Sequence, residues 1–408
     1  MAMCYFVGGV SMTGHVRKRG NKWNFVIDIG HDENGKRKQK WSSGFNTKKE
    51  AQAALTQKLH ELQTGTYIDS SSITVAEYLQ YWLEAYAKTN TSPRTYEGYE
   101  MIVNKHLIPS LGRYQLQKLQ PSQIQSYYTN ALKDGRRDGK KGGLSHRTVL
   151  HHHRVLREAL QQAIKWQLVL RNVADAVEPP KPDRPEMNTL AAEQVLHLLD
   201  VAKQHTKKYY PVIYMAVNTG MRRGEILGLR WQDIDFNNNT ANIQQTAQRV
   251  IGHGVIFREP KTQKSRRSVS LPPSIMELLR EIKVNQSKNK LVLGQAYQNY
   301  DLVFEQGDGK PLEPTEAGRA FRNVLKKAGY SSIRFHDLRH THATLLLKEG
   351  VHPKIVSERL GHATIAITLD TYSHVLPHLQ EEAANKLDEK LFGKVQTKVQ
   401  TKLQTEGS

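Results

Sequence analysis

The sequence predicts a multidomain chain: a small β-sheet-plus-helix domain, an all-α domain, and a mixed α+β, mainly helical domain. Three observations predict it. At 408 residues the chain is too long for one ordinary core. Its apolar pattern changes from strand alternation near Trp23 to helical spacing from Ile73 onward. A run of prolines, Glu178-Pro179-Pro180-Lys181-Pro182-Asp183-Arg184-Pro185, then stops the helical pattern and stiffens the connection. The expected parts are an extension over 1–12, a basic domain over 13–65, a helical domain over 73–177, a Pro-rich linker over 178–185, a larger globular domain over 186–393, and a tail over 394–408. The tail repeats Val-Gln-Thr-Lys imperfectly and is expected to be disordered.

Charge and cysteine content narrow the function. Lys and Arg total 59 against 39 Asp and Glu, a formal net charge of +20. Such a surplus points to a polyanion, either nucleic acid or an anionic membrane surface. No run approaches the roughly 18 apolar residues of a bilayer helix, so membrane spanning is not expected. A single cysteine, Cys4, excludes a disulfide framework and a zinc ribbon. The N-terminus lacks the basic and long apolar regions of a signal peptide, and the expected compartment is the cytoplasm, with access to DNA.

In the basic domain, Trp23, Phe25, Ile27 and Ile29 alternate with Asn24, Val26 and Asp28, a strand period. Asn34-Gly35 is a hairpin signal. Thr47 and Glu50 form a capping box for a helix reaching about Leu62. Arg17, Lys18, Arg19 and Lys22 precede the first alternating run, and Lys36, Arg37, Lys38 and Lys40 lie on its return strand. A basic ribbon of this kind fits the major groove of DNA; a sheet with merely solvated lysines is the alternative.

After a polar linker over 65–72, Thr74 with Glu77 caps a helix bearing Val75, Tyr78, Leu79, Trp82, Leu83 and Tyr86 on one face. Ser92-Pro93 starts another, with Tyr96, Tyr99, Val103 and Leu107 along it. Further helices are expected over 123–132 and 145–166. Between them, Arg136, Arg137, Lys140 and Lys141 sit in a glycine-rich loop suited to phosphates. His151-His152-His153 resembles a metal tract, but consecutive helical residues point in different directions, and a polar helix face is expected. In the third domain, helices are expected over 191–206, 209–218 and 274–285, and strands over 240–249, 255–258 and 267–271.

The chemistry is narrowed by what is missing. The chain has no GxxxxGK[ST] loop, no GxGxxG after a strand, no HExxH and no acidic cluster for two metals. A DNA enzyme without these handles phosphate with its own cations and a side-chain nucleophile, or it only binds. Neither a metal nor another cofactor is expected. Cations stand at distinctive positions. Arg222 and Glu225, three apart, follow Thr219-Gly220-Met221 at the start of a helix. His336 and Arg339 share a helix face within His336-Asp337-Leu338-Arg339-His340. Leu360-Gly361-His362 follows, and Tyr372 lies ten residues beyond His362. Pro260-Lys261-Thr262 opens a basic turn between two strand-like runs.

Together these motifs resemble the signature of the tyrosine site-specific recombinases, the phage and conjugative-transposon integrase family. The basic domain resembles that family's arm-binding domain and the helical one its core-binding domain, which makes the third a catalytic domain of tyrosine-recombinase type. The resemblance implies an enzyme that cleaves and rejoins DNA through a 3′-phosphotyrosine, integrating and excising a mobile element such as a prophage or transposon. It implies catalytic roles for Arg222, Lys261, His336, Arg339, His362 and the nucleophile Tyr372, with Glu225 in support. Lys264, three residues from Lys261, competes for the lysine role, and Tyr330 is the rival tyrosine near His336. The implied partners are double-stranded DNA at core and arm sites and three further copies of the chain in a tetramer on DNA, with room for an accessory DNA-bending protein or an excisionase. The implied location is the bacterial nucleoid.

Physical chemistry fits these roles. A phenol attacking a phosphodiester builds extra negative charge on the non-bridging oxygens, which two guanidinium forks neutralise bidentately. His336 can accept the proton of a phenol whose ordinary pKa is about 10. Lys261 is the acid that the resemblance offers for the leaving 5′-oxygen. The phosphotyrosine ester retains the bond energy, so rejoining needs neither ATP nor metal. Leu379, Ala383, Leu387 and Leu391 repeat every fourth residue within 377–392. That amphipathic helix docks on its own domain or, as the resemblance implies, on a neighbouring subunit. A type IB topoisomerase and a non-enzymatic DNA-binding protein are the competing readings.

Overall fold

The computed structural model describes residues 3–7, 10–31, 36–64, 71–183, 188–260, 266–330, 332–372 and 384–392. The chain divides into two compact units, Met1–Arg184 and Pro185–Ser408.

In the first unit β1 (Met3–Val7), β2 (Val10–Arg19), β3 (Lys22–His31) and β4 (Arg37–Phe45) form one antiparallel sheet in chain order. The sheet begins earlier than expected. Met3–Val7 pairs with the start of β2, from Met3 opposite Gly14 to Val7 opposite Val10, so residues read as an extension supply an edge strand. Asn34-Gly35 lies outside the described residues, between the antiparallel β3 and β4. Helix α1 (Lys48–Gln63) starts at Thr47, whose hydroxyl accepts from the Glu50 N–H at 3.2 Å while the Glu50 carboxylate accepts from the Thr47 N–H at 3.3 Å. Its apolar face sets Leu55 and Leu59 on Phe25 and Ile27. A Cβ at Gly14 would come within 2.5 Å of Leu55 Cδ1, so this close approach needs a glycine there.

Strand alternation separates the basic residues onto two faces. Directly paired residues share a face. Arg17 lies opposite Asn24 and Trp41 opposite Val26, away from α1, and the Arg17 guanidinium stacks 3.6 Å from the Trp41 ring centroid. Lys40, opposite Ile27, is on the helix side, where Lys58 and Lys38 are among its neighbours.

The helical part of this unit carries α2 (Val75–Trp82), α3 (Pro93–Ile102), α4 (Pro121–Asp134) and α5 (His146–Lys165). The Thr74–Glu77 box caps α2, and the Ser92 hydroxyl accepts from Thr95 N–H at the start of α3. Tyr78, Leu79, Trp82, Tyr128, Leu156 and Leu160 meet in one core. The histidine run departs from a polar face. His152 and His153 are buried, at 1% and 8% exposure, and their Nδ1 atoms lie 2.7 and 2.8 Å from the hydroxyls of Tyr127 and Tyr128. Helix α4 supplies those two tyrosines and covers that face of α5.

The second unit opens with α6 (Ala192–His205), α7 (Tyr210–Thr219) and α8 (Arg223–Leu227). Its strands are β5 (Ile234–Asp235), β6 (Thr240–Ile243), β7 (Thr246–Val250), β8 (Gly254–Arg258) and β9 (Arg267–Ser270). The expected strand over 240–249 is two: β6 lies between β5 and β9, whereas β7 pairs with β8 in a separate two-stranded sheet among the described residues, so the chain changes sheet between Ile243 and Thr246. Helices α9 (Pro273–Leu293), α10 (Pro314–Ala328), α11 (Asp337–Lys348), α12 (Pro353–Leu360) and α13 (Ile365–Tyr372) complete the succession, α9 running eight residues past the expected end at 285. The main core joins Leu198, Val212, Ile213, Ile226, Leu279, Phe321 and Leu338. A smaller core holds Ala343, Leu347, Val356, Leu360 and Tyr372. Residues 384–392 are helical, with Leu387, Leu391 and Phe392 exposed; Leu379, Ala383 and the tail over 394–408 lie outside the described residues. Among the described residues no helix is long and apolar enough to cross a membrane.

Candidate active site

Four of the expected site residues are set by chain turns within the second unit. Helix α7 ends at Gly220, and the chain re-enters a helix with Arg222 at its N-terminal boundary. Glu225, one turn on, accepts from the Arg222 backbone N–H at 2.9 Å and from Arg222 Nη1 at 2.7 Å. The carboxylate is buried, whereas the Arg222 side chain is 41% exposed. Burial works against the Glu225 charge, but Arg267 and Arg222 outweigh it and hold its pKa below the usual value.

Arg339 lies on the first turn of α11 and is buried, at 3% exposure. Its Nη1 donates to the Gly220 carbonyl at 3.0 Å and its Nη2 to the Leu360 carbonyl at 2.6 Å. This one guanidinium therefore joins the turn before Arg222 to the turn before His362. Burial, then the charges of Arg222 and Arg267, lower its pKa to about 9, so it stays cationic at neutral pH.

His336 stands at the N-terminal boundary of α11 without a side-chain capping bond, and it is exposed. Partial desolvation, then His340, Arg339 and Arg222, lower its pKa to about 4. His362 Nδ1 lies 2.8 Å from the Thr368 hydroxyl. Desolvation, then Arg339 and Arg222, lower its pKa to about 4 also. Both rings are neutral at pH 7. The charges of Arg222 and Arg339 thus reach both rings.

Tyr372 ends α13 with no exposed surface, its ring within the small core of Leu347, Val356 and Leu360. Its hydroxyl lies 2.9 Å from His340 Nδ1. The His340 ring meets His336 edge to face at 5.3 Å, and the Tyr372 phenol is also within the field of Arg339. Burial pushes the phenol up to about 12. The tyrosine is thus buried beside the cationic site, with its hydroxyl directed to a histidine of that cluster. Tyr330 is engaged elsewhere, its hydroxyl 3.0 Å from His197 Nδ1. Lys261 and Lys264 lie outside the described residues.

Several residues here carry no local sequence signal. Arg267 donates to Glu225, and Arg359 donates to the carbonyls of Ser270 and Asn218 and to His342 Nε2. These contacts span 17 to 141 positions, beyond any helix or strand period. His340 adjoins the His336–Arg339 pair, and its nearness to Arg339 in the sequence is the available clue.

The expected DNA-binding residues belong to the first unit. Lys22 meets Asn46, Arg37 pairs with Asp28, and Arg136 pairs with Asp138 through two bonds of 3.0 and 2.6 Å. Arg137 lines a cavity with Lys105 and His106. Lys18, Arg19, Lys38 and Lys141 are exposed. The Lys140 backbone N–H donates to Asp138. Lys36, at the start of the return strand, has a partner of its own.

Comparison with known proteins gives the fold its family. Residues 188–378 match the phage integrase family, 15–62 an arm DNA-binding domain, and 74–132 the N-terminal SAM-like domain of phage integrases. An integrase of Streptomyces ambofaciens is 30% identical over 383 residues, covering 90% of this chain and 94% of the relative. A XerC-like tyrosine recombinase of Caldanaerobacter subterraneus is 29% identical over 395 residues, covering 92% and 98%. Among solved structures, the Tn1549 transposon integrase with circular-intermediate DNA has a TM-score of 0.60 at 21% identity, covering 76% of this chain and 100% of that one. A lambda integrase dimer on a COC′ core site has a TM-score of 0.52 at 17% identity, covering 87% and 93%. The chain belongs to the phage integrase family, tyrosine recombinases that cleave and rejoin DNA.

Proposed function

We propose that Tyr372 is the nucleophile of site-specific integration and excision, acting on a phosphate held by Arg222 and Arg339. The phenolic oxygen bonds to phosphorus as the bond to the 5′-oxygen breaks, leaving a 3′-phosphotyrosine and a 5′-hydroxyl. The phenol proton passes to a histidine of the cluster, His336 as the resemblance implies or His340, whose Nδ1 lies 2.9 Å from the hydroxyl, and Lys261 supplies the proton of the leaving oxygen. In the tautomer whose Nδ1 accepts from the Thr368 hydroxyl, the Nε2 of His362 carries the proton and can donate to a non-bridging oxygen. The supporting observation is the Arg339 guanidinium, which ties the Arg222 and His362 turns together beside a tyrosine hydroxyl that already meets a site histidine.

The domain over 13–65 would hold arm sites and that over 73–177 the core site, with the linker over 178–185 joining it to the catalytic domain over 186–393. Tethering two DNA-binding domains raises the effective concentration of each. The partners are double-stranded DNA, further copies of this chain in a tetramer, and an accessory bending protein or excisionase, at the nucleoid of a bacterial host. Incubation with a plasmid bearing two cognate sites tests this reading. Site-dependent deletion or inversion products are expected; relaxation of supercoils alone would identify a topoisomerase.

A further inference from the structure

Arg267 opens β9 and is almost wholly buried, its side chain 7% exposed. Its Nη1 and Nη2 donate to the two oxygens of Glu225 at 3.2 and 2.9 Å. Its Nε donates to the Arg359 carbonyl at 2.8 Å. One buried carboxylate is therefore shared by two guanidinium groups, Arg267 from inside and Arg222 from the exposed side. Glu225 paired with Arg222 alone would cancel the charge that a phosphate must find. The three together keep a net positive charge and a rigid fork.

Arg267 acts on the His362 turn as well. Gly361 adopts φ +70°, and a Cβ there would lie 2.9 Å from Arg267 Cδ and Nη1 and 3.1 Å from Cζ. The turn thus needs glycine twice over, for its left-handed backbone and for the guanidinium packed against it. The carbonyls before that glycine are divided between two arginines: Arg359 to Arg267, and Leu360 to Arg339. In the sequence, Lys261 stands six positions before Arg267.

We propose that Arg267 is a positioning residue for DNA cleavage: it shares Glu225 so that Arg222 remains available to the scissile phosphate, and it fixes the turn carrying His362. This inference rests on the catalytic reading above. Arg267→Met keeps the stem and removes the guanidinium, leaving Glu225 to Arg222 alone. Single-turnover cleavage of a nicked suicide duplex, at saturating protein, is measured beside the equilibrium Kd for the same duplex. The variant should cleave about 10- to 100-fold more slowly, because misplacing the groups around the phosphate raises the barrier. Its Kd should stay within about threefold of wild type, because the lost interaction favours the transition state and adds little to ground-state binding. Arg267→Lys should recover part of the rate, and millimolar methylguanidinium should speed the Met variant but not wild type. If Arg267→Met fails to fold, Arg267→Lys carries the test, with a reduced rate at unchanged Kd expected. Wild-type cleavage together with unaltered rates in the variants overturns the inference, as does a rate loss that tracks a loss of binding. Absence of a wild-type adduct on cognate DNA would instead overturn the catalytic reading itself.

Discussion

His340 Nδ1 lies 2.9 Å from the hydroxyl of Tyr372, and this contact connects a buried phenol to the cationic cluster. Sequence reasoning assigns the phenol proton to His336, whereas the structure sets His340 at the oxygen, with His336 stacked edge-on behind it. Tyr372 has no exposed surface, so the proposed attack requires its hydroxyl to be uncovered before it meets a phosphate. A buried hydroxyl stripped of its partner costs about 1–3 kcal/mol. His340→Leu should therefore weaken the buried position of Tyr372. Nitration of Tyr372 by tetranitromethane, followed by peptide mass spectrometry, should be slow in wild type and several times faster in the variant. Equal rates would show that His340 does not hold the tyrosine.

The two arginines should differ when removed. Arg222 is partly exposed and bonded to Glu225, while Arg339 is buried and bonded to two backbone carbonyls. Arg222→Ala should lower cleavage about 100- to 1,000-fold, as loss of an oxyanion donor does, with little change in Tm. Arg339→Ala should lower both, because it also leaves the Gly220 and Leu360 carbonyls without this donor. Single-turnover rates paired with thermal melts check the contrast.

Acid should destabilise the second unit, and His342 should account for part of the effect. Its Nδ1 lies 2.8 Å from the Val217 carbonyl and its Nε2 accepts from Arg359 Nε at 3.0 Å, which fixes Nδ1 as the protonated nitrogen. Burial, then Arg359, lowers its pKa to about 4. A histidine lowered on folding contributes stability that is complete above its unfolded pKa of about 6.5 and is lost as pH falls toward 4. The loss across that window is on the order of 3 kcal/mol. Melts at pH 7 and pH 5 should show a smaller drop in Tm for His342→Gln than for wild type.

The sheet of the first unit should read DNA with one face. Arg17 shares the face away from α1 with Trp41, whereas Lys40 points toward α1. Binding of the first unit's arm site should lose about 0.9 in the slope of log K against log salt for each phosphate contact removed. Arg17→Ala should reduce the slope and Lys40→Ala should leave it unaltered; the opposite order would place DNA on the helix side.

Local signals were legible and pairings were not. The Thr47–Glu50 and Thr74–Glu77 boxes each act within three residues, so sequence alone locates the starts of α1 and α2. The strand over 240–249 reads as one because nothing local marks the change of partner from β9 to β8. His152 and His153 read as polar, yet each meets a tyrosine 25 positions away. Within the site, the resemblance carried by the motifs around Arg222, His336, Arg339, His362 and Tyr372, rather than any local period, implied a shared centre. The Glu225–Arg267 pair, 42 positions apart on a helix and a strand, emerges only when the chain folds.

Formation of a covalent adduct on a nicked cognate duplex tests the central claim most directly, with the attached peptide identified by mass spectrometry. Wild type and Tyr330→Phe should both leave a 3′-linked nucleotide on the peptide containing Tyr372. Tyr372→Phe should bind the duplex as well as wild type and leave no adduct. An adduct retained by Tyr372→Phe, or mapped to another tyrosine, would contradict the assignment.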